Sequence, residues 1–333
     1  MRRTAYLGLF LTLFAALAAP GFAQEIKDPA EYKAYMDTCY NEKDLGKKAA
    51  GCEKFLVDYK DTVAKTQSYM QILLSYAQIP NWPKTLETAD KQAQIAPTLG
   101  VDDKKRVVLI AFAAAQNTNS PKMKSYAERV LEIDPKHAAA LVTLSGLLAN
   151  SLPTEEAAKM KQLDETLAVT KRALAAPKPE GATDAQWNPA LAQLHDTACM
   201  VLLNQKKYAD AIAECQDALK INKKDGYAYY LMGLAMKPAV ADALAKYRAA
   251  VDKLNLPENR SADQLTRDDL KATSDGLLET ATAKTDELVE VFAKSVATGW
   301  QGATNPARNE LKIFRGTPDE LNKLIEEKKK ELG

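Results

Sequence analysis

Histidine is scarce. Only His137 and His195 occur in 333 residues, and the four cysteines contain no C-x-x-C pair. A zinc centre of ordinary ligand spacing is therefore not expected, and neither is a cofactor. The usual enzyme signatures are missing as well. There is no G-x-S-x-G, no glycine-rich phosphate loop and no H-E-x-x-H. Charge of one sign is also lacking, with 45 Lys and Arg standing against 44 Asp and Glu. A nucleic-acid binder needs a basic face, so this balance argues against one. Lys328-Lys329-Lys330 is the densest basic run, and it falls near the end of an amphipathic segment, where cations suit the helix dipole. Aromatics are only 7% of the chain, while alanine is abundant and β-branched runs are few. This composition favours closely packed helices over sheets.

Long apolar runs are missing beyond the first residues. Arg2 and Arg3 precede an apolar run from Tyr6 to Ala19, followed by Pro20, Gly21 and Phe22-Ala23-Gln24. That is the layout of a signal peptide, residues 1–23, cleaved after Ala23. The run is short of the roughly 20 residues a membrane helix requires. No cysteine follows it to carry a lipid. The mature chain is expected to be periplasmic or secreted, with no transmembrane span. In such a compartment an even number of cysteines points to disulfides. Cys39 with Cys52, and Cys199 with Cys215, form two local pairs, each spanning one expected helical hairpin.

What remains is helical periodicity almost throughout, punctuated by Asn81-Trp82-Pro83, Asp134-Pro135, Asn222 to Gly226 and Asn255-Leu256-Pro257. Helices of about a dozen residues joined by short turns describe an array of hairpins. The clearest unit spans Ala192 to Asp225. Its second helix carries Tyr208, Ala211, Cys215 and Ala218, and the next helix carries Tyr229, Met232, Gly233 and Met236. Here the sequence resembles the tetratricopeptide repeat family. Tyr229 stands at that family's first large site, Met232-Gly233 at its Leu-Gly pair and Met236 at its Tyr site. Gly233, which costs up to about 1 kcal/mol in a helix relative to alanine, implies a tight helix crossing.

The same phase returns upstream at Leu141, Leu144, Ser145 and Leu148, at Val107, Ile110, Ala111 and Ala114, and more weakly at Tyr69, Ile72, Leu73 and Tyr76. First helices begin near Thr66, Lys104, Ala138, Ala192 and Gly226. Two of the intervals are 34 residues, the family's repeat length. The longest interval holds an extended helix after Thr154 and an expected loop through Pro177, Pro179, Trp187 and Pro189. A further hairpin covers Asp28 to Asp61. No unit has Trp at the first large site, a departure from the family pattern.

The expected fold is all-α: a right-handed α-solenoid of helical hairpins over residues 24–257, with a C-terminal helical cap over 258–333. In the cap, Ser261 is expected to start a helix ending near Asp275, and Leu277 to Ala297 a second one. Thr317-Pro318-Asp319-Glu320 is a capping box opening a last helix that carries Leu321, Leu324 and Ile325. Repeat arrays need such a cap over their final apolar face.

The paired acids Glu155-Glu156 and Asp268-Asp269 fall at expected helix starts, where acids are favoured without catalysis. His137 falls in a turn and His195 at a large packing site. The resemblance implies that first helices line a concave groove. It places Phe112, Thr143, Asp196, Met200, Tyr227, Tyr230 and Leu234 on that groove. Near the ends of four first helices stand the amides Gln78, Gln116, Asn150 and Asn204. In register they would form a ladder able to bond an extended peptide, although Asn also serves simply to cap helix ends. Tyr227 and Tyr230 could anchor a ligand or touch the cap. Only Lys105 and Lys237 offer positive charge there, which disfavours capture of a carboxylate terminus. These features point to a non-enzymatic protein-protein interaction scaffold or adaptor of the cell envelope, binding a protein segment. The alternative is a carbohydrate- or peptidoglycan-associated binder of envelope glycan, using Trp187 and Trp300 as stacking platforms in loops.

Overall fold

The computed structural model describes residues 26–94, 99–314 and 317–333. The expected signal peptide and its cleavage site lie outside the described residues. Among the described residues every regular element is helical: α1 Pro29–Tyr35, which runs into a π-helical turn at Met36–Tyr40, α2 Leu45–Asp58, α3 Lys65–Gln78, α4 Trp82–Gln94, α5 Val101–Asn117, α6 Met123–Ile133, α7 Ala138–Asn150 and α8 Glu156–Leu174. There follow α9 Asp184–Asn204, α10 Tyr208–Ile221, α11 Gly226–Leu254, the single turn α12 Pro257–Arg260, α13 Gln264–Ala297, α14 Gln301–Phe314 and α15 Pro318–Leu332. The fold is thus an all-α series of helical hairpins. α3 packs on α4, α5 on α6 and α9 on α10.

Polar side chains start these helices. Asp28, Asp44 and Asp225 each accept from backbone N–H groups of the turn they open. Asn119 and Lys206 take positive φ, 49° and 60°, in the turns after α5 and α9, letting the chain reverse into the next helix.

The chain divides into two compact units. The first ends at Leu144 and includes Pro179–Gly181. The second comprises Ser145–Lys178 and Ala182–Gly333. At the N-terminal end of the first unit, Tyr35, Cys39, Cys52, Phe55 and Ile72 share one core. Further along, Tyr126 Oη donates to Asp90 Oδ1 at 2.5 Å and Lys122 Nζ pairs with Asp90 Oδ2 at 2.7 Å, tying α6 to α4. In the second unit α9, α10 and α11 share a core with α13, α14 and α15. Both expected cysteine pairs are at bonding distance, with Cα separations of 4.9 Å for Cys39–Cys52 and 5.5 Å for Cys199–Cys215.

Three sequence expectations are corrected. The helix expected from Ala192 begins eight residues earlier, at Asp184. Thr183 and Gln186 form a reciprocal capping box there, so Trp187 and Pro189 lie in the first turns of α9 and not in a loop. The two helices expected between Ser261 and Ala297 are one, capped by Asp263 and passing through Gly276 without a break. Ser261 instead ends the short turn α12. Long packing of α13 along α11 outweighs the propensity cost of one glycine.

Gly233 sits where the sequence placed a tight crossing. A Cβ there would stand 2.6 Å from Phe292 Cε1, so α11 admits the Phe292 ring of α13 only because residue 233 has no side chain.

Candidate functional site: the first-helix face of the hairpins

In the first unit, two residues expected on one face do meet. Gln116 Nε2, at the end of α5, donates to Thr143 Oγ1 on α7 at 2.8 Å. They are 27 residues apart and come from successive first helices. Both are half-buried, so one side of the pair remains open. Gln78 is exposed at the end of α3, and Lys105 is exposed on α5. Phe112, expected in the groove, is instead fully buried. Its ring meets His137 edge to face, with centroids 6.3 Å apart. It supports the face from beneath and offers no surface of its own.

His137 has a structural task. Its Nδ1 accepts from the Ala140 backbone N–H at 3.3 Å, capping α7. Burial lowers the ring's pKa, in keeping with a neutral acceptor.

A cavity of about 250 Å³ lies between α4, α5 and α6, lined by Ala93, Leu99, Val107, Val108 and Ile133 among others. It falls short of the roughly 300–1,000 Å³ typical of small-ligand pockets.

In the second unit the amides behave differently. Asn150 Nδ2 donates to Gly146 O at 2.8 Å and Asn204 Nδ2 to Met200 O at 2.9 Å, each bonding its own helix. Asn117 and Asn255 repeat that bond at the ends of α5 and α11. A shared end-of-helix device accounts for these asparagines. Gln116 bonds across helices instead. Asn204 also lies 3.4 Å from the half-buried Met200 sulfur.

Three expected groove residues on α11 touch the C-terminal helices or pack into their core. Tyr227 stacks obliquely on Trp300 at 5.0 Å, Tyr230 lies 6.2 Å from Phe292, and Leu234 packs on the core they share. Lys237 is paired with Glu310 at 2.7 Å, so its charge is already matched. Trp300 packs, through Tyr227, against the first turn of α11.

Asp196 stands apart chemically. It is 8% exposed, and its Oδ1 has no hydrogen-bond partner. Burial, with the nearby Asp225 carboxylate, pushes its pKa up to about 8. Tyr227 is pushed up to about 12 by burial and the Asp196 charge. At neutral pH Asp196 is therefore largely a neutral acid.

Sequence reasoning missed two features. Lys328, read there only as a helix-end cation that suits the dipole, is nearly buried. It bonds Glu290 at 3.2 Å and Glu331 at 2.9 Å, while Lys294 bridges the same two acids at 2.9 Å each. Burial alone would lower the Lys294 pKa, but Glu331 and Glu290 raise it to about 12. The second feature is a contact of His195 with Glu214, at 2.7 Å from Nδ1 to Oε2. The acidic partner lies on the neighbouring helix and is invisible to a reading of His195 along its own.

No family model matches the chain, and no curated protein matches it. Among solved structures it is similar to YrrB, described as a TPR protein with an unusual peptide-binding site. The identity is 15%, the match covers 63% of this chain and 97% of that one, and the TM-score is 0.38. A likeness at that level concerns general architecture; the helices themselves define the fold. Among the described residues no helix is long and apolar enough to cross a membrane.

Proposed function

We propose that this protein is a non-enzymatic interaction scaffold of the cell envelope that binds an extended protein segment along the first-helix face of its hairpins. The observation that carries this reading is the Gln116–Thr143 contact. Two polar side chains from successive first helices form one half-exposed platform, with Phe112 of α5 fully buried one turn before Gln116. An amide and a hydroxyl side by side offer both donors and acceptors to a peptide backbone. The exposed Gln78 extends the same chemistry on α3. The two cysteine pairs and the N-terminal sequence support an exported protein, periplasmic or secreted.

Trp300 is engaged with Tyr227 and Trp187 is half-buried in α9, so the glycan reading has less free aromatic surface to draw on. The test is selection of peptides from a displayed library of unstructured segments on the mature protein, followed by fluorescence anisotropy. Saturable binding should weaken at least about tenfold in Thr143→Arg, which fills the platform while circular dichroism stays unchanged (a loss of about 1.4 kcal/mol or more). Equal affinity in wild type and variant would place binding elsewhere. Retention on peptidoglycan without any selected peptide would favour the glycan reading.

A further inference from the structure

The contact between His195 and Glu214 belongs to a larger constellation. Asp217 lies one turn beyond Glu214 on α10, so both carboxylates project from one side of that helix. A ring nitrogen of His195 and one oxygen from each acid lie within 4.8 Å of one another. We propose that His195, Glu214 and Asp217 form a binding site for a divalent transition-metal ion of the zinc class. Nothing in the scaffold reading requires it.

The donor set and its support both argue for a metal. One imidazole and two carboxylates are a nitrogen–oxygen set of borderline softness, suited to zinc and its neighbours more than to calcium or magnesium. Three protein ligands leave a fourth position for water or for a donor on a bound partner. The site is also held in place. His195 lies one helical turn before Cys199, and Glu214 is adjacent to Cys215. The Cys199–Cys215 bridge, with a Cα separation of 5.5 Å, fixes α9 against α10 at this level. Donors fixed in advance cost less to assemble around an ion. The bridge also takes up the thiols, which leaves nitrogen and oxygen as the available ligands.

The adjustment needed is small. Ligand atoms about 2.0–2.1 Å from zinc stand roughly 3.3 Å apart in a tetrahedron. His195 and Glu214 would open slightly from 2.7 Å, and Asp217 would close in. Asp217 is free to do so, because its side chain is 44% exposed and its present partner, Lys220, is 76% exposed. An ion pair so exposed is a weak competitor. His195 and Glu214 are only 19% and 21% exposed, enough for an ion to enter while the geometry stays fixed. The scarcity of histidine and the lack of C-x-x-C in the sequence gave no sign of this site, since its members meet only through helix pairing.

Isothermal titration with zinc chloride tests the proposal, using tag-free mature protein with both disulfides intact in a non-chelating buffer. One ion per chain is expected. Affinity should fall at least about tenfold in His195→Gln and in Asp217→Asn. The second variant changes an exposed side chain and keeps the test valid should the first misfold. Zinc should also raise the Tm of the wild type more than that of Asp217→Asn at the same concentration. Absence of saturable binding, or equal binding in wild type and Asp217→Asn, would overturn the proposal.

Discussion

Gly233 and Asp196 show how single residues carry opposite stresses. Helix propensity favours alanine over glycine by about 1 kcal/mol, so Gly233→Ala would stabilise an isolated helix. Here the added methyl meets Phe292, which is fully buried and has nowhere to go. The expected result is a net loss of about 1–3 kcal/mol in urea unfolding; an unchanged midpoint would show that the crossing can relax. Asp196 has a folded-state pKa raised from 3.8 to about 8. The folded state holds its proton more tightly than the unfolded one, so its contribution is fully present below pH 3.8 and is lost as pH rises toward 8. Asp196→Asn should therefore raise stability at pH 8 by at least about 1–3 kcal/mol and bring little at pH 4. A gain of equal size at both pH values would mean that the carboxyl is not shifted. His137 runs the other way. Its pKa is lowered from 6.5, so its cap is fully present above that value and is lost as pH falls through the depressed pKa.

At the scale of elements, the cysteine pairs were legible in the sequence because each spans one hairpin. Replacing Cys199 and Cys215 by serine opens a loop of 16 residues and should cost about 3 kcal/mol, read as a lower Tm by calorimetry. No change in Tm would show that the α9–α10 pair needs no link. Helix positions were readable wherever small and large residues recur at three- and four-residue spacing, as around Ala211, Cys215 and Ala218. The start of α9 was misplaced because Trp187 and Pro189 read as loop residues, although Thr183 and Gln186 announce a capping box. Gly276 read as a break because propensity is local, whereas the packing of α13 along α11 is not. The placing of Gln116 and Thr143 on successive first helices came from the repeat register together with the family resemblance. The burial of Phe112 did not, since register gives a direction and not a depth.

On the scale of the whole molecule, the C-terminal helices share the core of the second unit. Leu288, Phe292 and Leu311 are fully buried in one cluster with Met232 and Met236 of α11. Deletion of residues 258–333 should strip that face, so the shortened protein is expected to aggregate in size-exclusion chromatography and lose helicity beyond the deleted share. A monomer with the remaining helicity intact would show a self-sufficient array.

The scaffold reading is tested most directly by site-specific photo-crosslinking in the native envelope. A photoreactive residue would replace Gln116 on α5 in one protein and the exposed Glu128 on α6 in another. A discrete adduct with one protein partner from position 116, and none from position 128, is what binding on the first-helix face predicts. Adducts from position 128 alone, or from neither position, would contradict it.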